Sequence, residues 1–78
     1  PGRLHYPEPD AHSVRQMIES FRGQYEEDPI AEESLELLSE ELASDRPRRA
    51  IVKGLLANLM PHRELAFLVF YTEKLVRG

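Results

Sequence analysis

The sequence predicts an all-α protein, a compact bundle of four short helices behind an extended proline-rich arm. Three observations predict it. Apolar residues recur at three- and four-residue intervals in four successive segments. Asp, Ser or Pro punctuates the segments where helix ends need them. The one continuous apolar run, Leu65 to Tyr71, has no second strand to pair with, and a lone strand is not a structure. The expected division is an arm over 1–9 and a single helical domain over 10–78, with helices at about 11–27, 29–43, 47–59 and 62–77.

The arm holds Tyr6-Pro7-Glu8-Pro9, which reads as extended because a residue before proline is pushed out of the helical region. Asp10 is a suitable N-cap for the first helix, with Ala11 opening it. Val14, Met17, Ile18, Phe21 and Tyr25 then follow one helical stripe. Arg15–Glu19 and Arg22–Glu26 are spaced as i,i+4 ion pairs. Gly23 weakens the helix, which is expected to stop by Glu27 or Asp28.

Asp28-Pro29 opens the second helix, a capping residue followed by proline at the first helical position. Leu35, Leu38 and Leu42 carry its core stripe, helped by Ile30, Ala31 and Leu37. Glu32, Glu33, Glu36, Glu40 and Glu41 make an acidic face. Ala43 to Pro47 is a turn, with Ser44 or Asp45 capping the third helix. In that helix Ile51, Val52, Leu55, Leu56 and Leu59 form the stripe, and Lys53 faces out. Ala50, Gly54 and Ala57 form a small-residue edge suited to close approach by another helix of the domain. Met60-Pro61 ends the helix, since proline removes a donor and clashes with the turn before it. A corner follows, with Pro61, His62, Arg63 and Glu64 in the first turn of the fourth helix.

The fourth helix is the stretch around which the chain is organised. Leu65, Leu68, Val69, Thr72, Leu75 and Val76 fall on one stripe. Phe67, Phe70 and Tyr71 fall on a second, with Lys74 below them and Glu73–Arg77 at ion-pair spacing. An ordinary amphipathic helix has one apolar stripe a little over ~100° wide. A helix with two has either a central position in the bundle or a partner on its second face.

Size sharpens that choice. The chain has 78 residues, enough for one domain, and a core this small rarely supplies more than about 3–5 kcal/mol. There is no cysteine, so a disulfide or thiolate metal site is excluded. By elimination another protein chain, or a second copy in a homodimer, is the expected supplement. Pro1 in place of Met reads as the edge of a fragment of a larger protein. No apolar run approaches the roughly 20 residues of a membrane span, so no membrane partner is expected. An intracellular setting, cytoplasmic or nuclear, is compatible with the lack of cysteine.

The net charge of −4 is unevenly spread. Residues 1–45 hold twelve acidic and three basic groups, a net −9, while residues 46–78 hold seven basic and two acidic, a net +5. The simplest use of that asymmetry is internal, one half lying against the other; an external use is to steer a charged partner.

No motif carries catalysis or a cofactor. His5, His12 and His62 have no metal-site spacing, the serines sit in no nucleophile pattern, and no glycine-rich phosphate loop is present. The reading is therefore a non-enzymatic helical protein–protein interaction or dimerisation domain without cofactor. Its candidate partner-binding residues are Phe67, Phe70 and Tyr71, with Leu59 and Met60 at the corner. The alternative is a nucleic-acid-binding helical module using Arg46, Arg48, Arg49 and Lys53, which would equally seat an acidic partner. Against nucleic acid stand the overall acidity, which opposes counterion release, and the apolar helix that would have to read bases.

Pro61 to Leu75 resembles the second helix of the docking-and-dimerisation domain of cAMP-dependent protein kinase regulatory subunits, at Pro61, Arg63, Ala66-Phe67-Leu68, Tyr71 and Glu73-Lys74-Leu75. Ala50 to Leu59 is similar in kind to what precedes it there. The connection is shorter in this chain, and residues 1–45 have no counterpart. The resemblance implies a helical interface in which paired hairpins grip an amphipathic helix. The same segment is faintly similar to the entry of a sigma-factor promoter-reading region, without the reading helices that follow it.

Overall fold

A computed structural model describes residues 10–77. The expected arm over 1–9 lies outside the described residues. Four helices account for most of the described residues: α1 (Ala11–Phe21), α2 (Pro29–Ala43), α3 (Arg49–Leu59) and α4 (Ala66–Arg77), with a 3₁₀ turn at Arg63–Leu65 before α4. No strand occurs among the described residues, so the all-α class and the helix count follow the sequence. Neighbours pack α1 on α2, α2 on α3, α3 on α4 and α4 back on α1, closing a four-membered ring. The short connections make sequential helices antiparallel.

The core is the enclosed centre of that ring. Val14 and Ile18 from α1, Ala31, Leu35 and Leu38 from α2, Val52 and Leu59 from α3, and Leu65 are each 0% exposed. Leu42, Leu56, Leu68 and Val69 complete it. Every buried side-chain nitrogen or oxygen among the described residues has a hydrogen-bond partner, as a low-dielectric interior requires. Thr72 is the clearest case: fully buried on α4, its hydroxyl donates to the Leu68 carbonyl at 2.7 Å. No helix among the described residues is long and apolar enough to cross a membrane.

Helix ends differ from the sequence expectation in three places, each for a stated competitor. First, α1 stops at Phe21, not near Glu27. Gly23 adopts φ 84°, a conformation that suits a residue without Cβ. The Glu32 carboxylate accepts from the Gly23 N–H at 2.7 Å and the Tyr25 N–H at 3.1 Å. A carboxylate from α2 thus takes donors that helix continuation would have used. Tyr25 still reaches the core, from a loop. Arg22 turns to Glu19 at 3.0 Å and Glu36 at 3.8 Å, not to Glu26.

Second, neither Ser44 nor Asp45 caps α3. Ser44 closes α2, its hydroxyl donating to the Glu41 carbonyl at 2.7 Å. The α3 N-cap is Arg48, whose own side chain does not cap. Glu41 supplies the acceptor instead, taking the Arg48 N–H at 2.7 Å and its guanidinium at 2.9 and 3.1 Å. Those bonds pull the Glu41 carboxyl down to about 2. Third, the corner after Pro61 winds as a 3₁₀ turn, with the Leu65 N–H on the His62 carbonyl. The α-helix therefore starts at Ala66.

Burial also corrects the stripes. Ile30, Leu37 and Ile51 were expected to help the core but are 63%, 42% and 43% exposed. Each is next in sequence to a fully buried neighbour, Ala31, Leu38 and Val52, which takes the inward position on its helix. The small-residue edge receives no helix: Ala50, Gly54 and Ala57 are all exposed, and a Cβ on Gly54 would meet nothing within 4 Å.

Candidate docking surface

The seam between α3 and α4 and the outer face of α4 are built by the α4 register. Leu65, Leu68 and Thr72 point to the ring centre, which turns positions 67, 70 and 74 away from it. Phe67 is 73% exposed and Phe70 55%. Met60, at the end of α3, is 67% exposed. Tyr71 is half-buried against the core, its ring 6.4 Å from that of Phe67 and 5.9 Å from that of Phe70. The Lys74 ammonium sits 5.3 Å from the Phe70 ring centre, within cation–π range.

Of the five residues expected on this surface, the structure brings together Met60, Phe67, Phe70 and Tyr71. It removes Leu59, which is fully buried among the core leucines. Leu59 falls on the same helical face as Val52 and Leu56, so α3 cannot bury that face and also present Leu59 to a partner. The central-helix reading of α4 fails for the described residues, because no element covers Phe67 or Phe70.

Beside Phe70 an apolar hollow of about 240 Å³ runs between Met60, Ala66 and Val69, edged by His62, Arg63 and Glu73. Further along the same seam, a hollow of about 200 Å³ is lined by Arg49, Lys53 and Arg77 over Leu56 and Val76, again with Glu73 at its edge. Glu73 edges both, so the two hollows adjoin along the α3–α4 seam and are taken together as its groove, apolar near the corner and cationic toward the α4 C-terminus. The Arg49 guanidinium reaches the Val76 carbonyl at 3.4 Å. Arg77 and Glu73 are 3.8 Å apart, the spacing expected from sequence.

The four basic residues expected to act together are divided by the fold. Arg48 turns toward α2 and Glu41, Arg49 and Lys53 line the groove, and Arg46 stays exposed in the turn. Leu56, Glu73 and Val76 were not foreseen as groove residues. Leu56 and Val76 were expected as members of the α3 and α4 core stripes and Glu73 as half of an ion pair, and which edge of each stripe lines the seam depends on the packing.

A polar junction holds the corner beneath this surface. His62 Nε2 and Asp28 Oδ2 are 2.7 Å apart, and Asp28 also caps α2 through the Ala31 N–H. Tyr25 donates to Glu64 Oε2 at 2.9 Å, and its ring meets His62 edge-on at 4.5 Å. Burial and the bond to Glu64 push the Tyr25 hydroxyl up to about 12. The His62 hydrogen bond holds the Asp28 carboxyl below its usual range, aided by the Ala31 N–H. Glu64 is lowered by its own backbone N–H and by Tyr25. The junction ties the α1–α2 loop to the α3–α4 corner. It joins residues up to 39 apart in sequence, a pairing that only the fold creates. Among the described residues no group of three or more His, Cys, Asp or Glu side chains is placed to hold a metal ion.

Compared with protein-family models, with curated proteins and with solved structures, the chain matches none.

Proposed function

We propose that this is a non-enzymatic helical docking domain that binds another protein chain, or itself, through the outer face of α4 and the adjoining groove. The observation that carries the reading is the exposure of Phe67 and Phe70 on one side of a helix whose other side is fully used by the core, with Met60 exposed beside them at the end of α3. Single exposed apolar residues are ordinary. Two phenylalanines and a methionine beside an apolar hollow are the composition of a binding hot spot. The rigid ring of helices beneath them keeps the surface in place before a partner arrives, which lowers the ordering cost of association.

The test is a selection from a displayed library of helical peptides on the immobilised domain, repeated with Phe67→Glu and Phe70→Glu. Expected binders lose affinity for both variants while the circular dichroism of each variant stays that of the wild type. Recovery of no binders, or of binders indifferent to both substitutions, overturns the proposal.

A further inference from the structure

The outer face of α2 is the complement of the α3–α4 groove. Ile30, Glu33, Leu37 and Glu40 follow one another at i, i+3, i+7 and i+10, a single stripe on a helix. All four are exposed. The stripe alternates apolar and acidic side chains, and neither Glu33 nor Glu40 has an ion-pair partner among the described residues. Across the molecule, Arg49 and Lys53 have no carboxylate partner among the described residues either, and Arg77 has only the 3.8 Å contact with Glu73. The charge asymmetry of the chain is therefore largely unspent inside the fold. Its one Arg–carboxylate link between the acidic and basic halves, among the described residues, is Arg48–Glu41.

Length agrees as well as charge. At a rise of about 1.5 Å per residue, Ile30 to Glu40 spans about 15 Å, and Arg49 to Met60, the α3 wall of the groove, spans about 17 Å. We infer that the groove takes the α2 face of a second copy, with Ile30 toward Met60 and Phe70 and Glu40 toward Arg49 and Lys53. The inference rests on the reading of α4 as a docking surface and names its occupant. The two surfaces differ, so the contact is heterologous: each copy has a vacant groove at one side and a vacant stripe at the other. Repetition gives a ring or an open filament instead of a symmetric dimer. One helix stripe in one groove buries less than the roughly 1,600 Å² total of a standard stable interface, so assembly is of the weak, concentration-driven class.

The experiment is sedimentation velocity and light scattering on the chain at low salt, up to about 1 mM, the weakest affinity range worth testing. The wild type is expected to pass beyond the dimer as concentration rises, and to dissociate at about 0.5 M salt, where screening confines charge interactions to a few ångströms. A groove variant, Arg49→Glu with Lys53→Glu, and a stripe variant, Ile30→Glu with Leu37→Glu, each stay monomeric alone. Mixed in equal amounts they give a 1:1 dimer and nothing larger, since one intact stripe meets one intact groove. Thermal unfolding of each variant checks that the fold persists. If the stripe variant fails to fold, Glu33→Lys with Glu40→Lys replaces it. That variant is monomeric alone and assembles past the dimer with the groove variant, because both contacts then pair opposite charges.

A wild type that stays monomeric throughout, a mixture that stays monomeric, or a dimer indifferent to these substitutions overturns the inference. Assembly abolished by Phe70→Glu but untouched by the groove and stripe charges leaves the docking face standing with a different occupant. Indifference to Phe67→Glu and Phe70→Glu in both assembly and peptide selection removes the docking face itself.

Discussion

The inner and outer faces of α4 have the same apolar character and opposite fates. Inside, Leu65, Leu68, Val69 and Thr72 are buried where the fourth helix packs on α1 and α3; outside, Phe67 and Phe70 stay exposed, with ring contacts to Tyr71 and, for Phe70, to Lys74. Side-chain hydrophobicity does not separate the two, since phenylalanine is at least as apolar as valine. What separates them is the number of helices. Four helices of 11 to 15 residues close one ring around one core, and a ring of four has no further layer to cover an outward face. The difference assigns stability to one side of the helix and leaves the other free for the binding proposed above.

The largest effect that tests this division is on the inner face. Leu68→Ala is expected to cost about 2–5 kcal/mol, the range for deleting a buried leucine side chain from a packed core. Chemical denaturation with the slope held constant measures it, and a cost below about 1 kcal/mol would show that the inner face is loose.

Next comes the anchor that sets α3 beside α2. Glu41 has its carboxyl held at about 2 against an ordinary 4.5 by the Arg48 hydrogen bonds. A carboxyl depressed in the fold contributes stability that is fully present above its unfolded value and is lost as pH falls through the folded one. Thermal stability should therefore drop between pH 4.5 and about 2. Glu41→Gln should be less stable at neutral pH and show a shallower loss in that window. An unchanged pH profile in Glu41→Gln would remove Glu41 as the anchor.

A smaller effect is expected at Gly23. Its φ of 84° strains any residue with a Cβ, although the space around it is open. Gly23→Ala should cost about 1 kcal/mol through backbone conformation alone, whereas Gly54→Ala, inside α3 with equal space, should stabilise by up to about 1 kcal/mol. The contrast in sign is read directly from the two denaturation midpoints.

The smallest effects on stability belong to the outer face. Phe67→Glu and Phe70→Glu should each shift stability by no more than about 0.5 kcal/mol, as for surface positions without special geometry. A cost comparable to that of Leu68→Ala would mean the outer face is covered in solution and the division between faces is wrong.

The sequence by itself determined the all-α class, the number of helices, the residues that open α1 and α2, and the two stripes of α4. These are local facts: an i,i+3,i+4 pattern, Asp10 and the Asp28-Pro29 pair at helix starts, Pro61 at a corner. Each is written within one or two turns of chain. The tertiary structure decided what depends on a distant partner. Glu32 ends α1 early by taking the Gly23 and Tyr25 N–H groups, Glu41 caps α3 in place of Ser44 or Asp45, and Asp28 meets His62 across the corner. It also decided which edge of each stripe faces solvent. Leu59, read both as part of the α3 stripe and as a surface residue at the corner, went to the core, while Ile30, Leu37 and Ile51, expected in the core, stayed outside. Periodicity fixes a helix face only to within a residue or so either way. Packing angles, set by all four helices together, choose among those positions, and with them the groove and the stripe from which the proposed assembly follows.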